Sequence, residues 1–141
     1  MADDSAIITT VIPIASWVVI PILTHLINNN RDKKLEHNQT ISDIEQLFKD
    51  MNESAIPYLS SNSFNIDNYY KLVAYNSQLR LLLNRLKAIN KKLVIARNTV
   101  ITIKKLTTDD QNRQMSKMSE ILASQAILLN SIPKNYNTWF L

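Results

Sequence analysis

The rhythm of apolar positions changes along this chain, and each change marks an element. From Ala6 to Ile27, "AIITTVIPIASWVVIPILTHLI", 22 residues pass without a formal charge while His25 is neutral. As a helix the segment is ~33 Å long, enough to cross a hydrocarbon core of ~30 Å. A secretion signal carries basic residues first and a small-residue cleavage site behind its apolar run. Here the acidic "MADDSA" precedes, no such site appears, and Arg31, Lys33 and Lys34 follow. The pattern predicts a transmembrane helix within residues 1–30. The alternative is a soluble core helix, which would make the protein a four-helix bundle.

At 100° per residue, Ser5, Thr9, Pro13, Ser16 and Thr24 share one stripe of this helix. Ile7, Val11, Ile14, Val18 and Ile22 share the opposite one. Small and hydroxyl-bearing residues on one side are expected where spans pack together or line a pore. Serine and threonine bonded to their own backbone are the alternative. Trp17 falls mid-span, and Pro13 and Pro21 each remove a backbone donor and can kink the helix.

Behind the polar connector "NNNRDKKLEHNQT" the three-four rhythm begins. "SDIE" at 42–45 has the form of a capping box, with Ser42 as cap and Glu45 reaching back. Ile41, Ile44, Leu47, Phe48 and Met51 then form one face, predicting a short helix over about 42–53. Pro57 and "SSNS" predict a loop onto which Tyr58, Leu59 and Phe64 dock. Leu72, Tyr75, Leu79, Leu82, Leu86, Ile89, Leu93, Ala96, Val100 and Ile103 recur at spacings of three and four. That seam predicts one long helix, about 68–106, packed in coiled-coil manner. Val73, Leu81, Leu83, Val94, Ile95 and Ile101 widen the stripe toward a bundle, and the β-branched "TVITI" at 99–103 is its weakest stretch. "TTDDQ" restarts the chain with Thr108 as cap, and Met115, Met118, Leu122, Gln125, Leu129 and Ile132 predict a last helix, about 109–132. The two later helices form an antiparallel hairpin against the 42–53 helix.

Composition sharpens this. The 141 residues contain no glycine and no cysteine, where an average chain would carry roughly ten glycines. Glycine-dependent phosphate loops, disulfides and thiolate metal sites are thereby excluded; the lack of glycine also argues against many tight hairpins, although asparagine can serve some left-handed turn positions. The fold class is all-α, with a single N-terminal transmembrane helix and a helical bundle domain over 31–141. No cofactor and no metal are called for.

The net charge is +4, and its distribution is uneven. Between Asn68 and Thr108 stand nine basic residues and no acidic one. Lys71 is the first; Arg80, Arg85, Lys87, Lys91, Lys92, Arg97, Lys104 and Lys105 are the candidate anion-binding set. Nucleic acid, a nucleotide or anionic lipid would suit them; neutralisation by Asp43, Glu45, Asp50 and Glu53 is the competing reading. With no Lys or Arg before the span and three just behind it, the positive-inside rule places the N-terminus outside and residues 28–141 in the cytoplasm. In a bacterium this is a single-pass inner-membrane protein. The terminal Tyr136, Trp139 and Phe140 are candidates for a contact with a neighbouring subunit.

Enzyme signatures are confined to "RDKKLEH", where Arg31 and His37 stand in Arg-x5-His spacing. The spacing resembles the arginine–histidine pair of the HEPN ribonuclease superfamily, and this implies catalytic roles for Arg31 and His37. A juxtamembrane basic patch is the other reading. Size, the order of span then bundle, and the same motif also resemble small membrane-anchored, HEPN-like effectors of bacterial antiphage and CRISPR systems. That resemblance implies self-association into a membrane pore, with Thr9, Ser16 and Thr24 facing the lumen or a neighbour. The expectation is a non-enzymatic, self-associating membrane protein. A membrane-tethered module that binds an anionic partner is the alternative, and a ribonuclease is a further one.

Overall fold

The structure is a computed structural model that describes residues 4–134, with side chains from Trp17 onward. Among the described residues the chain is all-helical: α1 (Asp4–Ser60), α2 (Ile66–Ile89), α3 (Arg97–Thr108) and α4 (Lys117–Ser131). It divides into two units with the boundary between Leu35 and Glu36, inside α1, five residues beyond the predicted 30/31 boundary.

The second unit is a bundle in which α1 from Glu36, α2, α3 and α4 alternate in direction. Its core is one cluster, with Ile44, Leu47, Phe48, Met51 and Tyr58 from α1 and Leu72, Leu79, Leu83 and Leu86 from α2. Leu93 adds to it from the turn, Ile103 from α3, and Met118, Ile121 and Leu128 from α4. Polar ties fix how the helices sit against each other. Asn76 Nδ2 donates to Thr107 Oγ1 at 2.9 Å, joining α2 to α3. Asn52 and Gln125 exchange two amide hydrogen bonds of 2.9 Å each, joining α1 to α4.

Several predicted boundaries are corrected. The 42–53 helix is part of α1, and Ser42 and Glu45 lie inside it rather than capping a start. The buried stripe begins earlier, at His37 and Thr40; both are polar, so an apolar count misses two turns. Thr40 Oγ1 donates to the Glu36 carbonyl at 2.7 Å, which lets it sit in the core. Helix α1 also continues through Pro57 to Ser60, and the loop is confined to residues 61–65.

The predicted 68–106 helix is two helices. Asn90 ends α2 in extended geometry, with its N–H on the Leu86 carbonyl at 2.8 Å. Residues 91–96 turn the chain, and α3 packs back along α2. A seam this long has no full-length partner in a small domain, so folding back buries one half against the other. The break precedes the β-branched "TVITI", which is helical within α3.

The last helix starts at Lys117 rather than about 109. Thr108 ends α3, its hydroxyl donating to the Lys104 carbonyl at 2.6 Å. Asp109 follows as the C-cap and holds Lys117 Nζ at 3.2 Å. Of the predicted face Met118, Gln125 and Ile132 are buried, whereas Leu122 and, before α4, Met115 are exposed, and Ile121 and Leu128 complete the buried stripe.

Candidate functional site

The apolar stretch is helical in the described part of the N-terminal unit, within α1, and its side chains from Trp17 to Ile27 are exposed. Trp17 is 82% exposed, and Val18, Val19, Ile20, Ile22, Leu23, Leu26 and Ile27 are each exposed by about half. At 100° per residue these positions occupy every side of the helix, so no single face accounts for them. A helix apolar all round is normally enclosed by a protein core or by lipid. Thr24 and His25 are exposed among them, and Arg31 and Lys34 are exposed behind them, with Lys33 half-buried. Among the described residues no helix is long and apolar enough to cross a membrane. Residues 6–16, half of the predicted span, have side chains outside the described set. Thr9, Pro13 and Ser16 fall there, and Ser5 just before them and Tyr136, Trp139 and Phe140 at the other terminus also lie outside the described side chains.

His37 is fully buried at the start of the second unit. Its Nε2 lies 2.9 Å from the Pro133 carbonyl oxygen. A carbonyl only accepts, so Nε2 carries the proton and donates. The contact ties the beginning of the bundle part of α1 to the residues just after α4. Arg31, its sequence partner in "RDKKLEH", is exposed in the other unit. A histidine that moves protons on a phosphodiester must reach the substrate, and this ring is enclosed with one nitrogen committed to the backbone. Beside it, Asn38, Ile41, Ser42, Glu45 and Lys134 line an open groove of about 240 Å³. Among the described residues no three His, Asp or Glu side chains gather as metal ligands.

The candidate anion-binding residues Arg80, Arg85, Lys87, Lys91, Lys92, Arg97, Lys104 and Lys105 are all exposed. They occupy the second half of α2, the 91–96 turn and α3. Arg85 Nε meets Glu36 Oε1 at 2.9 Å. This pair puts the C-terminal end of α2 beside the start of the bundle part of α1. Arg80 and Lys87 are seven residues apart and share a face, as do Arg97 and Lys104 on α3. The acidic residues Glu45 and Glu53 are exposed on α1, and the carboxylate that Arg85 meets is Glu36 rather than one of the predicted acidic partners.

At the opposite end of the bundle, Tyr58, Phe64, Tyr69 and Tyr70 form a chain of ring contacts with centroids 5.5–6.2 Å apart. The Arg113 guanidinium stands 5.5 Å from the Tyr58 ring centroid and 5.6 Å from that of Phe64. It also donates to the Ser63 carbonyl at 2.7 Å. This closes the α1–α2 loop against the turn before α4. Burial raises the Tyr58 phenol above its ordinary pKa, a push that Arg113 opposes and Asp110 reinforces. Its hydroxyl is buried with no hydrogen-bond partner among the described residues. The sequence pattern docks Tyr58 and Phe64 on the bundle, whereas Arg113 carries no local signal beyond being one more cation.

Comparison with family models, with curated proteins and with solved structures returns no match to this chain.

Proposed function

We propose that this chain is a single-span membrane protein in which residues 6–27 cross the bilayer and the helical bundle stands on the cytoplasmic side. The observation that supports it is the uncovered apolar helix from Trp17 to Ile27, exposed on all sides. Leaving that many large apolar side chains in water is unfavourable by roughly 1.5–3 kcal/mol each, and acyl chains can enclose all sides of a helix at once. The sequence adds 22 uncharged residues of sufficient length and a cluster of Arg31, Lys33 and Lys34 on one side. Spans of this kind self-associate through their small and hydroxyl-bearing stripe, and a membrane-perturbing or pore-forming assembly is the function proposed for it.

The test is direct because the chain has no cysteine. Ser5→Cys and Ser63→Cys variants are expressed in bacteria and membranes are washed in alkaline carbonate. The protein stays in the pellet; an impermeant maleimide applied to spheroplasts labels position 5 and reaches position 63 only after lysis. Protein recovered in the carbonate supernatant overturns the span, and the reverse labelling overturns the orientation. Purified, reconstituted protein then runs as a defined multimer in detergent and releases a vesicle-trapped dye. A monomer without dye release removes the pore while leaving the span in place.

A further inference from the structure

We propose that the turn between α2 and α3, with its flanking cations, is a docking surface for anionic lipid headgroups that seats the end of the bundle on the bilayer. This deepens the membrane reading and rests on it.

The chain here does not simply loop. Leu93 is buried and Ile95 half-buried, both against the core, whereas Val94 between them is 83% exposed. Burial alternates along the three residues, and with Leu93 and Ile95 held inward Val94 is left outward. The Leu93 N–H donates to the Asn90 carbonyl at 3.0 Å, and the Lys92 N–H to Asn90 Oδ1 at 3.2 Å, which holds this shape. Lys91 and Lys92 precede the outward valine, Arg97 follows it at the start of α3 and Lys87 stands on the last turn of α2; all four are exposed. An apolar tip flanked along the chain by exposed cations fits a bilayer surface: the tip enters the interface while the cations meet phosphates.

The position in the fold suits this. Glu36 on Arg85 places the α2 end beside the start of the bundle part of α1, and it is the carboxylate that this contact already engages. Nine residue steps separate Ile27 from Glu36, so the chain can separate them by no more than about 32 Å whatever its path. Nucleic acid fits less well. Single strands use aromatic platforms for stacking, and the exposed rings of Phe64 and Tyr70 lie at the other end of the bundle, near Arg113 and the α1–α2 loop.

The experiment uses the full chain carrying Val94→Cys or, at the far end, Ser63→Cys, each labelled with bimane and reconstituted into nanodiscs containing nitroxide-headgroup lipid. With an anionic lipid present, the label at 94 is quenched and that at 63 is not. Quenching at 94 falls in purely zwitterionic discs, in high salt and in the Lys91→Glu, Lys92→Glu, Arg97→Glu variant. Each basic residue removed lowers the docked population about fivefold. A second variant, Lys91→Gln with Lys92→Gln, guards against misfolding by charge reversal and gives a smaller drop in the same direction. Equal quenching at 94 and 63, or quenching indifferent to lipid charge, overturns the proposal. So does loss of quenching when a short RNA is added at a concentration that leaves lipid charge unscreened, since the site then prefers nucleic acid. Carbonate resistance of the same preparations reports separately on the span: protein that inserts but fails to dock refutes this surface alone.

Discussion

Asn52 and Gln125 face each other across the bundle as a closed amide pair, each donating one hydrogen bond of 2.9 Å and accepting the other. Gln125 also places Nε2 3.7 Å from Met51 Sδ. The two residues are 73 positions apart, so the pair fixes the register of α4 on α1. Removing one amide strands the other where water reaches it poorly, at a cost of about 1–3 kcal/mol. Asn52→Ala and Gln125→Ala each lower stability by that amount, and the double variant loses less than the sum. Denaturant unfolding of the four proteins, followed by far-UV circular dichroism in mild detergent, gives the coupling directly. Strictly additive losses would mean that the pair does not hold the helices.

The register of α4 makes a sharper contrast between neighbours. Ile121 is completely buried and Leu122 is 48% exposed. Ile121→Ala removes core volume and lowers stability by about 2–5 kcal/mol. Leu122→Ala stays within about 0.5 kcal/mol of the parent. Comparable losses from the two variants would restore the face predicted from the apolar spacing.

Tyr58 gives the bundle a dependence on alkaline pH. Its phenol is raised above the ordinary value by burial, so the unfolded chain ionises this group first. The contribution is fully present below the unfolded pKa, about 10, and is lost as pH rises through the folded value. Because its hydroxyl has no partner among the described residues, Tyr58→Phe leaves neutral-pH stability unchanged or slightly higher and flattens the decline above pH ~10. Thermal melts from neutral to alkaline pH check this; a decline equally steep in the variant assigns it to other groups.

His37 tests whether the "RDKKLEH" motif is structural. With Nε2 donating to the Pro133 carbonyl, His37→Ala leaves that oxygen unpaired and opens a void, lowering stability by about 1–3 kcal/mol or more. His37→Gln can still donate and recovers part of the loss. Arg31→Ala, on an exposed residue, changes stability by less than about 0.5 kcal/mol. Melting temperatures of the three separate the roles, and an RNA-cleavage activity lost equally from His37→Ala and Arg31→Ala, with folding intact, would return the pair to catalysis.

Helix content, the apolar seam of α2 and the core positions Leu72, Leu79, Leu86, Leu93 and Ile103 were legible because a three-four spacing has one physical solution, a buried helical stripe. The stripe could not announce its polar members. His37, Thr40 and Thr107 are buried because each finds a backbone carbonyl, Glu36 for Thr40 and Ile103 for Thr107, and such partners are a property of the fold. The break at Asn90 was hidden for a related reason. Periodicity carries through a turn when the residues of the turn, Leu93 and Ile95, also point to the core. Among the site residues, exposure of the cations was readable from charge alone. The outward placement of Val94 among Lys91, Lys92 and Arg97 required the turn to exist.

The span itself is tested by one charge. Val18 lies close to the middle of residues 6–27 and is exposed in the isolated chain. An arginine there does little harm if the helix meets water, and the bundle from Glu36 has its own core. In a bilayer the same arginine sits near the hydrocarbon centre and costs about 2.5–3.5 kcal/mol on insertion scales. Val18→Arg therefore shifts protein from the carbonate-resistant pellet to the supernatant, while far-UV dichroism retains the bundle signal. Leu35→Arg is the control, since Leu35 is exposed but falls behind Arg31 and Lys34, beyond the apolar stretch, and its pellet fraction matches the parent. If Val18→Arg remains in the pellet like the parent, the apolar helix is not crossing lipid, and a second copy of the chain becomes the covering to look for.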